Sequence, residues 1–233
     1  MINKKVKLEK LNRYELHRYL GYKGNTPDET VRGIIDKYES KLFETVKPAY
    51  IMRKFTISEL YDKGEYKGIA FDDTDLILSG ESIRDHLSRC HSAVLLCATL
   101  SGEADKLIRQ TELKDMAEAL IVDTAASVAI EQVCNIAEET LGELFPDKYM
   151  TYRFGVGYGD LPLYHEKKIL DILNAGKLIG LYCSDSNILT PRKSVVCIVG
   201  ISDYPLKRGQ KGCITCSMRD TCNYRKQGLS CSY

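Results

Sequence analysis

Several signals that would place a chain quickly are missing from this one. Lysine and arginine number 33 against 32 aspartate and glutamate, so neither sign of charge is in surplus and a nucleic-acid surface is not expected. No apolar run approaches the roughly 20 residues that a bilayer span requires. The opening Lys4-Lys5-Val6-Lys7-Leu8-Glu9-Lys10 is charged where a secretory leader would carry its apolar core. No internal repeat is visible, nor the regular strand–helix–strand period of a doubly wound sheet. These absences lead to the expectation of a soluble, cytoplasmic protein with no membrane or nucleic-acid partner. The 233 residues suffice for one large domain or two small ones with a substantial core.

The pattern that is present mixes helices and strands. Residues 12–20 read as a short amphipathic helix stopped by Gly21. Thr26-Pro27-Asp28-Glu29 reads as a helix start, with Thr26 as N-cap, and the apolar face runs from Val31 to Phe43. Strand character follows at 49–58 and in a strand or hairpin at 67–78, then a short helix at 79–89. Residues 92–99 are a nearly continuous apolar run, read as a buried central strand entering a helix at 104–110. A long helix is expected over about 112–142, another helix at 163–173 and a second buried strand at 195–201. The fold class is therefore α+β: a mixed or antiparallel twisted sheet packed with helices, one of them long, plus a cysteine-rich C-terminal tail. We expect a helical segment over 1–60, a core over 61–206 and the tail over 207–233.

The stretch Tyr152-Arg153-Phe154-Gly155-Val156-Gly157-Tyr158-Gly159-Asp160-Leu161-Pro162 carries three glycines over five positions. Glycine tolerates positive φ and close approach of another group. An arginine beside such a bend offers a planar fork for a carboxylate or phosphate, and a glycine loop ahead of a helix is a common small-anion site. Ligand loop and structural turn both fit these residues. In the long helix, Ala119, Val122, Ala126, Ala129, Val133 and Ala137 form a stripe of small residues suited to lying close on a sheet. Asp123, Ser127 and Glu131 share another face at four-residue spacing. That face is either solvated or turns two carboxylates toward a cationic ligand group.

The nine cysteines fall into two groups. Cys90, Cys97, Cys134, Cys183 and Cys197 lie in or beside apolar segments, where a thiol behaves as a small hydrophobe. Cys213, Cys216, Cys222 and Cys231 crowd a basic, glycine-bearing tail. A CxxC pair with two further cysteines nearby suits zinc or an iron–sulfur cluster. Plain thiols remain an alternative, and disulfides are disfavoured in a reducing cytoplasm.

Taken together, these segments resemble the activation domain at the C-terminus of cobalamin-dependent methionine synthase. The shared residues are Arg153-x-x-x-Gly157-Tyr158, the helix after it, and a later strand introduced by Lys193-Ser194-Val195. The likeness covers roughly residues 66–203, and Val156 stands where that family usually has proline. In that family the arginine, glycine and tyrosine grip S-adenosylmethionine. The resemblance implies that Arg153, Gly157 and Tyr158 bind the ligand, and with the rest of the loop the expected site is Arg153, Gly155, Gly157, Tyr158, Gly159 and Asp160. By its charge, Glu131 or Asp123 would hold the ligand's ammonium. Arg153 would take its carboxylate, loop amides its adenine edge, and Tyr158 would lie near its sulfonium.

The resemblance further implies a stand-alone reactivation subunit with no catalytic residue of its own. It would support reductive methylation of cobalamin on a methionine synthase or related corrinoid methyltransferase, with an electron donor such as a flavodoxin. On this expectation the 233 residues hold the activation-domain part alone, without homocysteine, folate or cobalamin modules. The alternative is a metal- or iron–sulfur-binding adaptor or electron-transfer protein that does not bind S-adenosylmethionine, in which the glycine loop is only structural.

Overall fold

Strand β5 (Ser92–Thr99) is buried at all eight positions and forms the axis of the fold. The computed structural model describes residues 1–22, 25–63 and 66–206. Cys213, Cys216, Cys222 and Cys231 therefore lie outside the described residues, and so does the expected metal site.

Antiparallel neighbours flank β5 on both sides: β2 (Ala49–Lys63) and β10 (Ser194–Ser202). β1 (Ile2–Lys5) pairs with the start of β2. The far half of β2 pairs with β3 (Tyr66–Phe71), which pairs with β4 (Ile77–Ser79). Two short strands, β6 (Tyr149–Met150) and β7 (Phe154–Gly155), add to the outer side of β10. The eight strands make one sheet, and every described pairing in it is antiparallel. The boundary expected at residue 60 falls inside β2, a strand shared between β5 and β3.

Alternation along these strands divides the core into two layers. Val94, Leu96, Ala98, Cys197, Val199 and Ile201 face α1 (Arg13–Tyr19), α2 (Glu29–Thr45), α4 (Gly102–Glu112) and α5 (Met116–Leu144). Ala93, Leu95, Cys97, Val196 and Ile198 face α3 (Glu81–Leu87), α6 (His165–Leu173) and α7 (Ala175–Ile179). A small hairpin of β8 (Tyr182–Cys183) and β9 (Leu189–Thr190) precedes β10. Full burial of a leucine or valine is worth roughly 1.5–3 kcal/mol, so the two-sided β5 is a principal source of stability.

Helix boundaries follow local chemistry. Asn12 caps α1 as its spacing suggests, and Gly21 takes a left-handed φ of 88° just past its end. For α2 the cap is Asp28, not Thr26: its carboxylate accepts from the Val31 amide, and the helix starts two residues later than expected. The small-residue stripe of α5 is buried throughout. By length and hydropathy α5 could cross a membrane, but 61% of its most apolar window is buried within this fold. The absence of such a run expected from the sequence is corrected here, and the buried window reflects packing on the sheet.

Candidate functional site

Arg153 enters the sheet edge immediately before β7, and its side chain, 20% exposed, turns onto α5. Its guanidinium donates to Glu138 at 2.5 Å and to Asn135 at 3.0 Å through Nη1, and to Glu131 at 2.9 Å through Nη2. Glu131, Asn135 and Glu138 fall at successive turns of one helical face, so a single fork reaches all three. Burial opposes the guanidinium's charge, yet its pKa is raised by Cys134, Glu138 and Glu131 beside it. Burial pushes the Cys134 thiol up to about 12, so at neutral pH the two glutamates supply the negative field.

The same helical face continues toward the start of α5. Asp123 pairs with Lys193 at 2.9 Å, and the lysine also donates to Ser127 Oγ at 2.8 Å. Lys193 is only 13% exposed. The carboxylates on this face are therefore neither simply solvated nor bare, because each is matched by a cation from the sheet side. Asn135 and Glu138, missed in the sequence reading, extend the Asp123, Ser127, Glu131 series by four and seven residues. Extending the spacing would have found them.

The glycine loop folds on itself. The amides of Val156, Gly157 and Tyr158 donate to the carbonyls of Val196, Gly155 and Leu161 in the pattern Val156 to Val196, Tyr158 to Gly155 and Gly157 to Leu161. These three amides are therefore occupied within the fold. Nor does the loop run straight into α6, which begins at His165 rather than at residue 163 and has Glu166 in its first turn. Gly157 and Gly159 adopt φ of 91° and 56°, conformations that favour glycine.

Gly155 has another role. It pairs with Cys197, whose side chain lies in the α5 layer, so a Cβ at 155 would point the same way. The Tyr158 ring fills that space, with its Cδ2 only 2.9 Å from the position such a Cβ would take. Tyr158 is otherwise 70% exposed. Strand alternation puts Arg153 on that same side of β7, where its guanidinium meets the α5 acids, while the Tyr158 ring also stands edge-on to Phe154 at 6.3 Å between centroids.

Asp160 sits elsewhere. Its carboxylate accepts from the Glu81 amide at 2.7 Å and the Ser82 amide at 2.9 Å, which makes it the N-terminal cap of α3. Burial opposes its ionisation, but those amides outweigh that and hold the carboxyl below its ordinary value. The sequence offered no hint of this partner, which lies 78 and 79 residues away.

All five described thiols are free and have raised pKa values, with burial as the first cause. They behave as the small hydrophobes expected. Among the described residues, no cluster of three or more histidines, cysteines or acids could hold a metal.

Comparison with known proteins adds a likeness in fold. No family model matches the chain, and no curated protein matches it. A solved structure described as the crystal structure of the MetH reactivation domain bound to AdoHcy superposes with a TM-score of 0.64 at 15% identity. The match covers 98% of this chain and 86% of that one. The chain shares the fold of that domain.

Proposed function

We propose that the chain binds S-adenosylmethionine and serves as a reactivation subunit for a cobalamin-dependent methionine synthase or related corrinoid methyltransferase. The observation that carries this reading is the Arg153 guanidinium set 2.9 Å from Glu131 at the head of the loop that bears the exposed Tyr158, in the fold of a domain crystallised with AdoHcy. An amino-acid end group carries one carboxylate and one ammonium. A partly buried arginine–glutamate pair presents the complementary two charges, so the donor set fits.

Arg153 would receive the carboxylate through its fork, while Glu131 or Glu138 would hold the ammonium. Asp123 is already matched by Lys193 and stands as the farther alternative. Tyr158 would place its ring against the sulfonium, a contact of about 1 kcal/mol or more when desolvated. Gly155 makes room for that ring, and Gly157, Gly159 and Asp160 fix the loop that carries it. The bound ligand supplies an activated methyl group.

The buried thiols, with pKa values raised by desolvation, are poor nucleophiles at neutral pH. A reduced corrinoid on the partner would be the methyl acceptor, with electrons from a donor such as a flavodoxin. The chain's own contribution is to bind and orient. We place it in the cytoplasm on this reading. Cys213, Cys216, Cys222 and Cys231 are proposed to hold zinc or an iron–sulfur cluster.

Reconstitution tests the assignment. The protein with S-adenosylmethionine alone should release no S-adenosylhomocysteine, and addition of the corrinoid enzyme and a reductant should yield methylated corrinoid. Steady methyl transfer to a small acceptor in the absence of corrinoid would overturn it.

A further inference from the structure

Helix α3 is attached to both ends of the segment that bears Arg153. At the far end, Asp160 caps the helix through the amides of Glu81 and Ser82. At the near end, His86 Nε2 lies 3.0 Å from the carbonyl oxygen of Tyr152. A carbonyl only accepts, so the proton sits on Nε2. The imidazole also packs against Tyr152 at 4.5 Å and Phe154 at 5.0 Å between ring centroids.

Close packing seals the junction. A Cβ on Gly80 would lie 2.9 Å from the Asp160 carboxylate, and one on Gly159 would lie 2.5 Å from Ser82 Oγ. The helix is itself fixed to the sheet, because Ile83 and Leu87 are fully buried. A Cβ on Gly200 of β10 would lie 2.7 Å from Leu87 and 2.5 Å from Cys90 Sγ. By contrast, β7 pairs with β10 at only two residues. Thr151 and Val156 extend that hold through backbone bonds to Gly200 and Val196, but beyond Val156 the loop has no further bond to β10 among the described residues, and its far end rests on α3.

We propose that α3 is a two-point brace for residues 152–160, and that His86 and Asp160 are positioning residues that set the direction of Arg153 and Tyr158. The ligand half of this inference rests on the S-adenosylmethionine reading, while the brace itself does not. Asp160, placed in the ligand loop by its sequence neighbourhood, acts through α3. His86 acts through the Tyr152 carbonyl, one residue from Arg153.

The test compares the full-length parent with His86→Leu, His86→Gln and Asp160→Ala. Glutamine keeps an N–H donor for the Tyr152 carbonyl and leucine does not. The first readout needs no ligand: hydrogen exchange at the amides of Val156, Gly157, Tyr158 and Leu161, compared with those of β5. His86→Leu and Asp160→Ala should speed exchange in the loop about tenfold or more while β5 stays protected, the signature of local opening. His86→Gln should stay near the parent. Loop exchange unchanged in both disruptive variants, or equal acceleration in β5, overturns the brace.

The second readout is S-adenosylmethionine affinity per folded molecule. It should fall about fivefold or more in the two disruptive variants and recover in His86→Gln, as positional looseness weakens charge-assisted contacts. Faster loop exchange with unchanged affinity overturns the positioning role. If the parent itself binds no S-adenosylmethionine, the ligand reading falls, and hydrogen exchange still decides the brace.

Discussion

Arg153 and Glu131 meet at 2.9 Å across the gap between β7 and α5, so the ligand-free protein already holds the two charges that an amino-acid end group would need. A bound zwitterion would insert between them. Glu131→Gln should therefore weaken S-adenosylmethionine binding severalfold. The cost in stability should stay within about 1 kcal/mol, because Glu131 is half exposed and Glu138 continues to pair with Arg153. Calorimetry and thermal unfolding measure the two effects separately. Unaltered affinity would leave Glu131 as a structural partner only.

The Asp123–Lys193 pair should respond asymmetrically to mutation. Lys193 is the more buried partner, and Ser127 alone cannot neutralise its ammonium. Leaving a buried charge without its counterion costs more than removing it. Asp123→Ala should thus destabilise by about 1–2 kcal/mol, and Lys193→Met, which keeps the packed stem, by less. Denaturant midpoints for the two variants decide the point, and the reverse order would contradict the geometry.

Stability should also depend on His86. Burial lowers its pKa from 6.5 to about 4, with the bond to the Tyr152 carbonyl pulling the other way. Between those values the unfolded chain takes up a proton that the folded chain does not. Stability therefore rises with pH across that window and is lost as pH falls from 6.5 toward 4. The full difference corresponds to on the order of 3 kcal/mol. His165, also lowered by burial, acts in the same direction. The thermal midpoint should drop on acidification from neutrality to mildly acidic buffer, and His86→Gln should flatten the curve. Equal slopes for parent and variant would show that His86 titrates normally.

The sequence showed most clearly those features whose causes are local. The apolar run at 92–99 became the fully buried β5, and the small-residue stripe of α5 lies against the core as its spacing implied. The polar face of Asp123, Ser127 and Glu131 was legible for the same reason. Its cations were not, because Arg153 reaches Glu131 across 22 residues and Lys193 reaches Ser127 across 66. Asp160 illustrates the limit most sharply: its sequence neighbours suggested a ligand loop, while its carboxylate caps a helix from a distant part of the chain. Thr26 lost the capping position to Asp28, the stronger N-cap residue of the two, whereas Pro27, a residue common at the first helical position, had pointed to Thr26.

The tail cysteines make a separate prediction. Basic neighbours in the tail, Arg208, Lys211, Arg219, Arg225 and Lys226, favour thiolates and hence metal ligation. Protein purified anaerobically without chelator should carry zinc or iron, and loss of the metal should expose all four thiols to alkylation. A metal-free protein whose four thiols are all freely alkylated from the start would remove the site.

The central claim is tested most directly by titrating S-adenosylmethionine into the purified full-length chain and into Arg153→Lys. Lysine keeps the charge but loses the planar fork that can serve a carboxylate and the α5 acids together. The account predicts saturable one-site binding to the parent and a loss of about tenfold or more in the variant, the range expected for a charge-assisted hydrogen bond. No binding by the parent, or equal affinity in Arg153→Lys, would contradict it.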